Sequence, residues 1–114
     1  MNMKHELNLH PEPFASIKSG HKDIEMRLYD ERRRQIKVGD EIEFTNRDSQ
    51  EKLLCKVIGL HRFKSFDELY QAFPKTRLGY KKDEVAHPED MGKYYSKELR
   101  DKYGVIGIEI KLLK

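Results

Sequence analysis

Lys22, Glu25 and Arg27 are the residues whose types and spacing best suit chemistry in this chain. Apolar Ile24, Met26 and Leu28 alternate with polar Asp23, Glu25, Arg27 and Tyr29, which predicts a strand over Asp23–Tyr29. Glu25 and Arg27 then share one strand face, and Lys22 stands at the turn where the strand begins. A carboxylate beside two cations can hold a polar ligand edge or shift the pKa of a lysine. The same pattern also suits a solvated strand face carrying an ion pair. Tyr29, on the face of Glu25 and Arg27, offers a ring on which an unpaired base can stack. Arg32, Arg33 and Arg34, with Lys37, are able to contact phosphates. However, Lys22 to Asp40 holds six Lys or Arg against five Asp or Glu, so the basic signal is weak by itself.

Other chemistries find little support. His5, His10, His21, His61 and His87 show no ligand spacing with acids or cysteine, so neither a metal nor a cofactor is expected. There is no glycine-rich phosphate loop and no G-x-S-x-G elbow. The single cysteine, Cys55, has apolar sequence neighbours and suits a buried small hydrophobe; it cannot form an intramolecular disulfide. A net charge of +3 permits an anionic partner without demanding one. No apolar run reaches the ~20 residues needed to span a bilayer, and Met1 to His10 lacks the apolar stretch of a secretory signal. A cytoplasmic location without membrane contact is the expectation.

The elements that must position these residues can be read from periodicity. Lys4–Leu9 alternates as a strand, and Pro11 and Pro13 open a short helix presenting Phe14 and Ile17, with Gly20 at its C-terminal end. Val38-Gly39-Asp40 is a turn, and Glu41–Thr45 a strand with Ile42 and Phe44 inward. Leu53–Phe63 is apolar on both parities, as in a strand covered on both sides or bent across a barrel. Ser65 and Glu68 form a capping box ahead of a helix whose face carries Phe66, Leu69, Tyr70 and Phe73. Pro74–Tyr80 is expected to be loop, and Asp83–Arg100 a helix interrupted by Pro88 and Gly92. Val105–Leu112 closes as a strand with Ile106, Ile108, Ile110 and Leu112 on its core side. Charged residues (38%) slightly outnumber hydrophobic ones (37%), yet the apolar positions fall in periodic clusters, which argues against disorder. The expected architecture is one α+β domain over residues 1–114: a small, partly closed mixed barrel of five to six strands with two to four short flanking helices.

The run from Gly20 to Asp40 resembles the signature of the ASCH family, small domains with a PUA-like β-barrel. Gly20, Lys22, Glu25 and Arg27 match its motif of glycine, any residue, lysine, two residues, glutamate, any residue and arginine. Tyr29-Asp30-Glu31-Arg32-Arg33, Val38-Gly39-Asp40 and the stretch from Lys102 to Ile110 are similar to one prokaryotic branch. The resemblance implies a cleft beside the barrel, lined by Gly20, Lys22, Glu25 and Arg27, and RNA binding by analogy with PUA domains. Another branch is an amidohydrolase acting on acetylcytidine through the motif lysine, a threonine three residues on and a glutamate from the helical region. Lys22 matches that lysine and the nearest counterpart of the glutamate is Glu84, but the threonine position holds Glu25, which supplies no hydroxyl.

Three functions follow. The favoured one is a binding module for RNA or a nucleotide, with Lys22, Glu25 and Arg27 in its cleft. The alternative is an amidohydrolase on a modified nucleoside, in which Lys22, Glu25 and Glu84 carry the chemistry and Glu25 activates a water. The third is an interaction domain with no small ligand.

Overall fold

The alternating segments do form strands, and their order across the sheet explains why a cleft exists. In a computed structural model that describes residues 2–113, the strands are β1 (Lys4–Leu9), β2 (Ile24–Leu28), β3 (Glu41–Asn46), β4 (Lys52–Phe63) and β5 (Val105–Leu112). They make one mixed sheet in the order β1-β3-β4-β5-β2. β1 pairs with β3 in parallel, and every other pairing is antiparallel. The sheet curls into a half-barrel whose edge strands, β1 and β2, share no ladder. Among the described residues, the α-helices are α1 (Pro11–Lys18), α2 (Phe66–Ala72) and α3 (Lys97–Tyr103).

The apolar residues divide between the two faces of this sheet. Leu7, Leu9, Ile42, Phe44, Cys55, Val57, Ile106 and Ile108 fill the inside of the curl, with Phe14 and Ile17 of α1 packed among them. Ile24, Met26, Leu28 and Val105 point to the other side, against Phe66 and Leu69 of α2, Leu78 and Met91. β5 is therefore the strand covered on both faces. Gly107 makes this fit close, since a Cβ there would stand 3.2 Å from Ile24 Cγ2.

β4 takes the other course open to a strand that is apolar on both parities: it bends. A bulge between Val57 and Gly59 breaks its register with β5, so inward positions pass from Leu53, Cys55 and Val57 to Leu60. Ile58, at the bulge, is 47% exposed.

At the other edge, Asp40 ties β1 to the turn before β3. Its carboxylate accepts Met3 N–H (3.0 Å), Lys37 N–H (3.0 Å) and His5 Nε2 (2.8 Å). Burial opposes ionisation of this group, but the three donors outweigh it and lower its pKa.

Two expectations are corrected. The helix expected over Asp83–Arg100 is instead a bend, a 3-10 turn at Pro88–Lys93 and then α3, because Pro88 and Gly92 deny the segment a continuous ladder. Leu112 is 38% exposed rather than core, as β5 there runs past the curl. Among the described residues, no helix is long and apolar enough to cross a membrane.

Candidate functional site

The open seam between β1 and β2 carries the cleft. Its volume is about 1080 Å³, and its walls come from β1, α1, β2 and the loop segments around Leu78–Lys81 and Asp90–Tyr95. Lys22, Glu25 and Arg27 lie together at its base. Glu25 Oε1 receives Lys22 Nζ at 2.9 Å and Glu25 Oε2 receives Arg27 Nε at 2.7 Å. Lys22 is only 7% exposed and Glu25 3%, so the solvated strand face that the pattern also allowed is set aside.

Local sequence explains how these groups reach the interior. Because Ile24, Met26 and Leu28 turn toward α2, Glu25 and Arg27 must point into the curl. Gly20, at φ +82°, reverses the chain after α1, and Lys22 N–H then donates to Ser16 O at 3.0 Å. The Lys22 stem is roofed by Gly79, at φ +110°, where a Cβ would stand 3.2 Å from Lys22 Cδ. Arg27 spans the seam, since its Nη2 donates to Asn8 O on β1 at 2.8 Å. A side chain thus joins two strand edges that the backbone does not.

Electrostatics follow from this burial. Desolvation alone would raise the Glu25 pKa, but Lys22 and Arg27 prevail and hold it at about 2, against an ordinary 4.5. Burial likewise opposes the charge on Arg27, while Glu25 raises its pKa. Glu25 and Arg27 are therefore both ionised at neutral pH. Both carboxylate oxygens of Glu25 are engaged, yet each keeps lone-pair capacity for a further donor.

The walls are aromatic. Tyr80 OH donates to Asp90 Oδ2 at 2.8 Å and pairs with Tyr70 OH at 2.8 Å. Burial, followed by these partners, pushes the Tyr80 pKa up, so the phenol stays a neutral donor. Tyr94 and Tyr95 line the same space, and His10 on the α1 side meets Tyr94 with ring centroids 5.7 Å apart. Among the described residues, six cationic and four acidic side chains line the cleft.

Not every expected site residue is here. Tyr29 is absent from the cleft lining: β2 ends at Leu28, and the Tyr29 ring lies between Arg34 (4.5 Å) and Arg62 (4.3 Å). Of the arginine triplet, Arg33 alone lines the cleft, Arg32 borders a small separate depression, and Arg34 Nε donates to Tyr29 O. Gly20 shapes the turn without lining the cleft. Glu84 stands on the exposed rim, its Oε1 accepting Lys81 N–H at 2.7 Å. Conversely, Asn8, Tyr70, Tyr80, Asp90 and Tyr95 line the cleft although sequence reasoning does not single them out as site residues. The adjacent pair Tyr94-Tyr95 and the aromatic on the α2 face are the available signals.

A half-barrel whose seam holds a buried lysine–glutamate–arginine cluster under a tyrosine-walled cleft defines the class of protein. The ASCH domain model matches residues 7–114, and the chain belongs to that family. It is similar to the hypothetical protein PH0355, at 37% identity and TM-score 0.82, over 97% of this chain and 100% of that one. It is also similar to PF0455 from Pyrococcus furiosus, at 36% identity and TM-score 0.71, over 98% and 99%. An ASCH protein from Zymomonas mobilis shares the fold at 11% identity and TM-score 0.68, over 95% of this chain and 67% of that one. No curated protein matches the chain.

Proposed function

We propose that this ASCH protein binds a nucleotide or an RNA end in the seam cleft. The observation that carries this is the buried Lys22–Glu25–Arg27 cluster at the base of a space about 1080 Å³ in volume. Such a volume suits a small ligand. Ionised Glu25 can accept an exocyclic amine, and Lys22 can donate to a ring carbonyl, so together they complement the hydrogen-bonding edge of a base. The tyrosine walls offer faces for stacking, and Arg47, Lys81 and Lys93 give the lining a cationic surplus suited to phosphate. Lys22 Nζ is committed to Glu25, which favours binding over general-base chemistry.

The test is equilibrium binding of short single-stranded RNA and of cytidine nucleotides to the full chain. The double variant Lys22→Met, Glu25→Gln removes one cation and one anion together and leaves an amide oxygen for Arg27. It should weaken binding roughly tenfold or more, as loss of a charge-assisted hydrogen bond does. Absence of binding by the unmutated protein, or unchanged affinity in the double variant, would refute the proposal.

A further inference from the structure

Arg33 has a role that the base-reading cluster leaves unused. Its Nε is buried and has no hydrogen-bond partner among the described residues, and its closest carboxylate oxygen, Asp30 Oδ2, lies 3.4 Å from Nη1. An arginine carries five donors in a fixed fork, and a buried donor left unmade is costly. Arg33 lines both the main cleft and the small depression behind it, so it forms part of the partition between them. The Arg27 bridge to Asn8 O closes the seam at the same cluster. Tyr95 lines the cleft there too, in the electrostatic field of Arg27, Arg33, Glu25 and Asp30.

Charge in this cluster does not balance. Lys22, Arg27 and Arg33 face two carboxylates, Glu25 and Asp30. One positive charge is thus left over where water is largely excluded, and the side chain that bears it is 13% exposed. A bound anion at the exposed part of the guanidinium would neutralise it. A phosphate monoester bears about −1.5 to −2 at neutral pH and three acceptor oxygens, against a single charge on a backbone diester.

We infer that Arg33, with Arg27 and Tyr95 beside it, forms a pocket for a terminal phosphate monoester. This rests on the nucleotide-binding proposal above and narrows it to ligands that bear such a group: a free nucleotide or a phosphorylated RNA end. Arg33 can take two phosphate oxygens in a fork, and the Tyr95 phenol adds a neutral donor.

The experiment uses the full chain with inorganic phosphate, cytidine, cytidine monophosphate, and a short RNA carrying or lacking a terminal phosphate. Cytidine monophosphate should bind roughly tenfold or more tightly than cytidine, and phosphate should raise the melting temperature. Arg33→Gln should erase both effects, whereas Lys56→Gln, an exposed cation on β4, should erase neither. A preference for phosphorylated RNA over its hydroxyl counterpart points to RNA ends as the source; a preference confined to the mononucleotide points to free nucleotides, and either supports the pocket. If phosphate and cytidine monophosphate bind but cytidine and hydroxyl RNA do not, the pocket stands and the base-reading proposal falls. Equal affinity of the unmutated protein for cytidine and its monophosphate would overturn the inference, and this comparison needs no variant to fold. So would an Arg33→Gln protein that keeps the phosphate effects.

Discussion

Glu25→Gln tests the electrostatics of the cleft most directly. The substitution keeps the side-chain shape but removes the one carboxylate that touches both Lys22 and Arg27. Glu25 titrates at about 2 in the folded chain and ordinarily at 4.5. A depressed carboxylate pKa adds stability above the unfolded value and loses it as pH falls toward the folded one. At neutral pH the full difference is worth about 3 kcal/mol, and by about pH 3 it shrinks to about 1.5 kcal/mol. Breaking the buried cluster should therefore cost about 3–5 kcal/mol near pH 7. Denaturant titrations of both proteins near neutrality and at about pH 3 provide the assay. Other carboxylates titrate in both proteins, so the gap between the two midpoints isolates Glu25. That gap should narrow in acid. A Glu25→Gln protein as stable as the unmutated one near neutrality, or a gap of constant size at both pH values, would refute the reasoning.

Further perturbations probe the supports of the site. Phe66→Ala or Leu69→Ala should cost about 2–5 kcal/mol in a denaturant titration, since both are buried against β2 and β5. Ser65→Ala should cost only about 1 kcal/mol, through loss of the cap to Glu68 N–H. Gly79→Ala should destabilise by about 1 kcal/mol or more, because φ is +110° and the new Cβ meets Lys22 Cδ; ligand affinity should fall with it, as titration of the folded variant would show. Acetylcytidine incubated with the protein should remain intact by chromatography, because position 25 supplies no hydroxyl and Lys22 is held by Glu25.

Much of this frame is legible in the sequence because strand alternation and burial have the same cause. Ile24, Met26 and Leu28 announce a face that must be covered, and Glu25 and Arg27 are thereby sent to the opposite one. Alternation does not say whether that opposite face is wet. Here α1 and Gly79 cover it, and Gly79 is remote in sequence from β2. Tyr29 continues the alternation, but the ladder with β5 ends at the Leu28–Val105 pair, and the ring turns to two arginines. β4 shows the same limit: a residue inserted at Ile58 shifts the inward parity, and no local preference marks the place. The tyrosine walls come from α2 and from irregular segments, whose course depends on packing rather than on period. Only the capping serines speak locally there. Ser96 accepts Leu99 N–H at 3.2 Å and starts α3 where an unbroken helix would not need a cap.

Placement of the ion cluster at the seam bears on why it is charged at all. Two strand edges without a shared ladder leave polar backbone groups that must be covered or paired. Arg27 pairs one of them, through Asn8 O, but an apolar plug or a longer loop would cover the seam as well. Buried ion pairs rarely outperform well-packed apolar residues of similar volume, since desolvation offsets most of the attraction. Stability therefore gives no preference for lysine, glutamate and arginine over leucine or methionine at these three positions. Recognition does, because an apolar seam cannot distinguish one hydrogen-bonding edge from another, whereas fixed charges reject a ligand that leaves them unpaired. Arg33 sharpens the point: its surplus charge burdens the unliganded protein, and a bound anion would relieve it. The proposed binding accounts for both the charges that are paired and the one that is not.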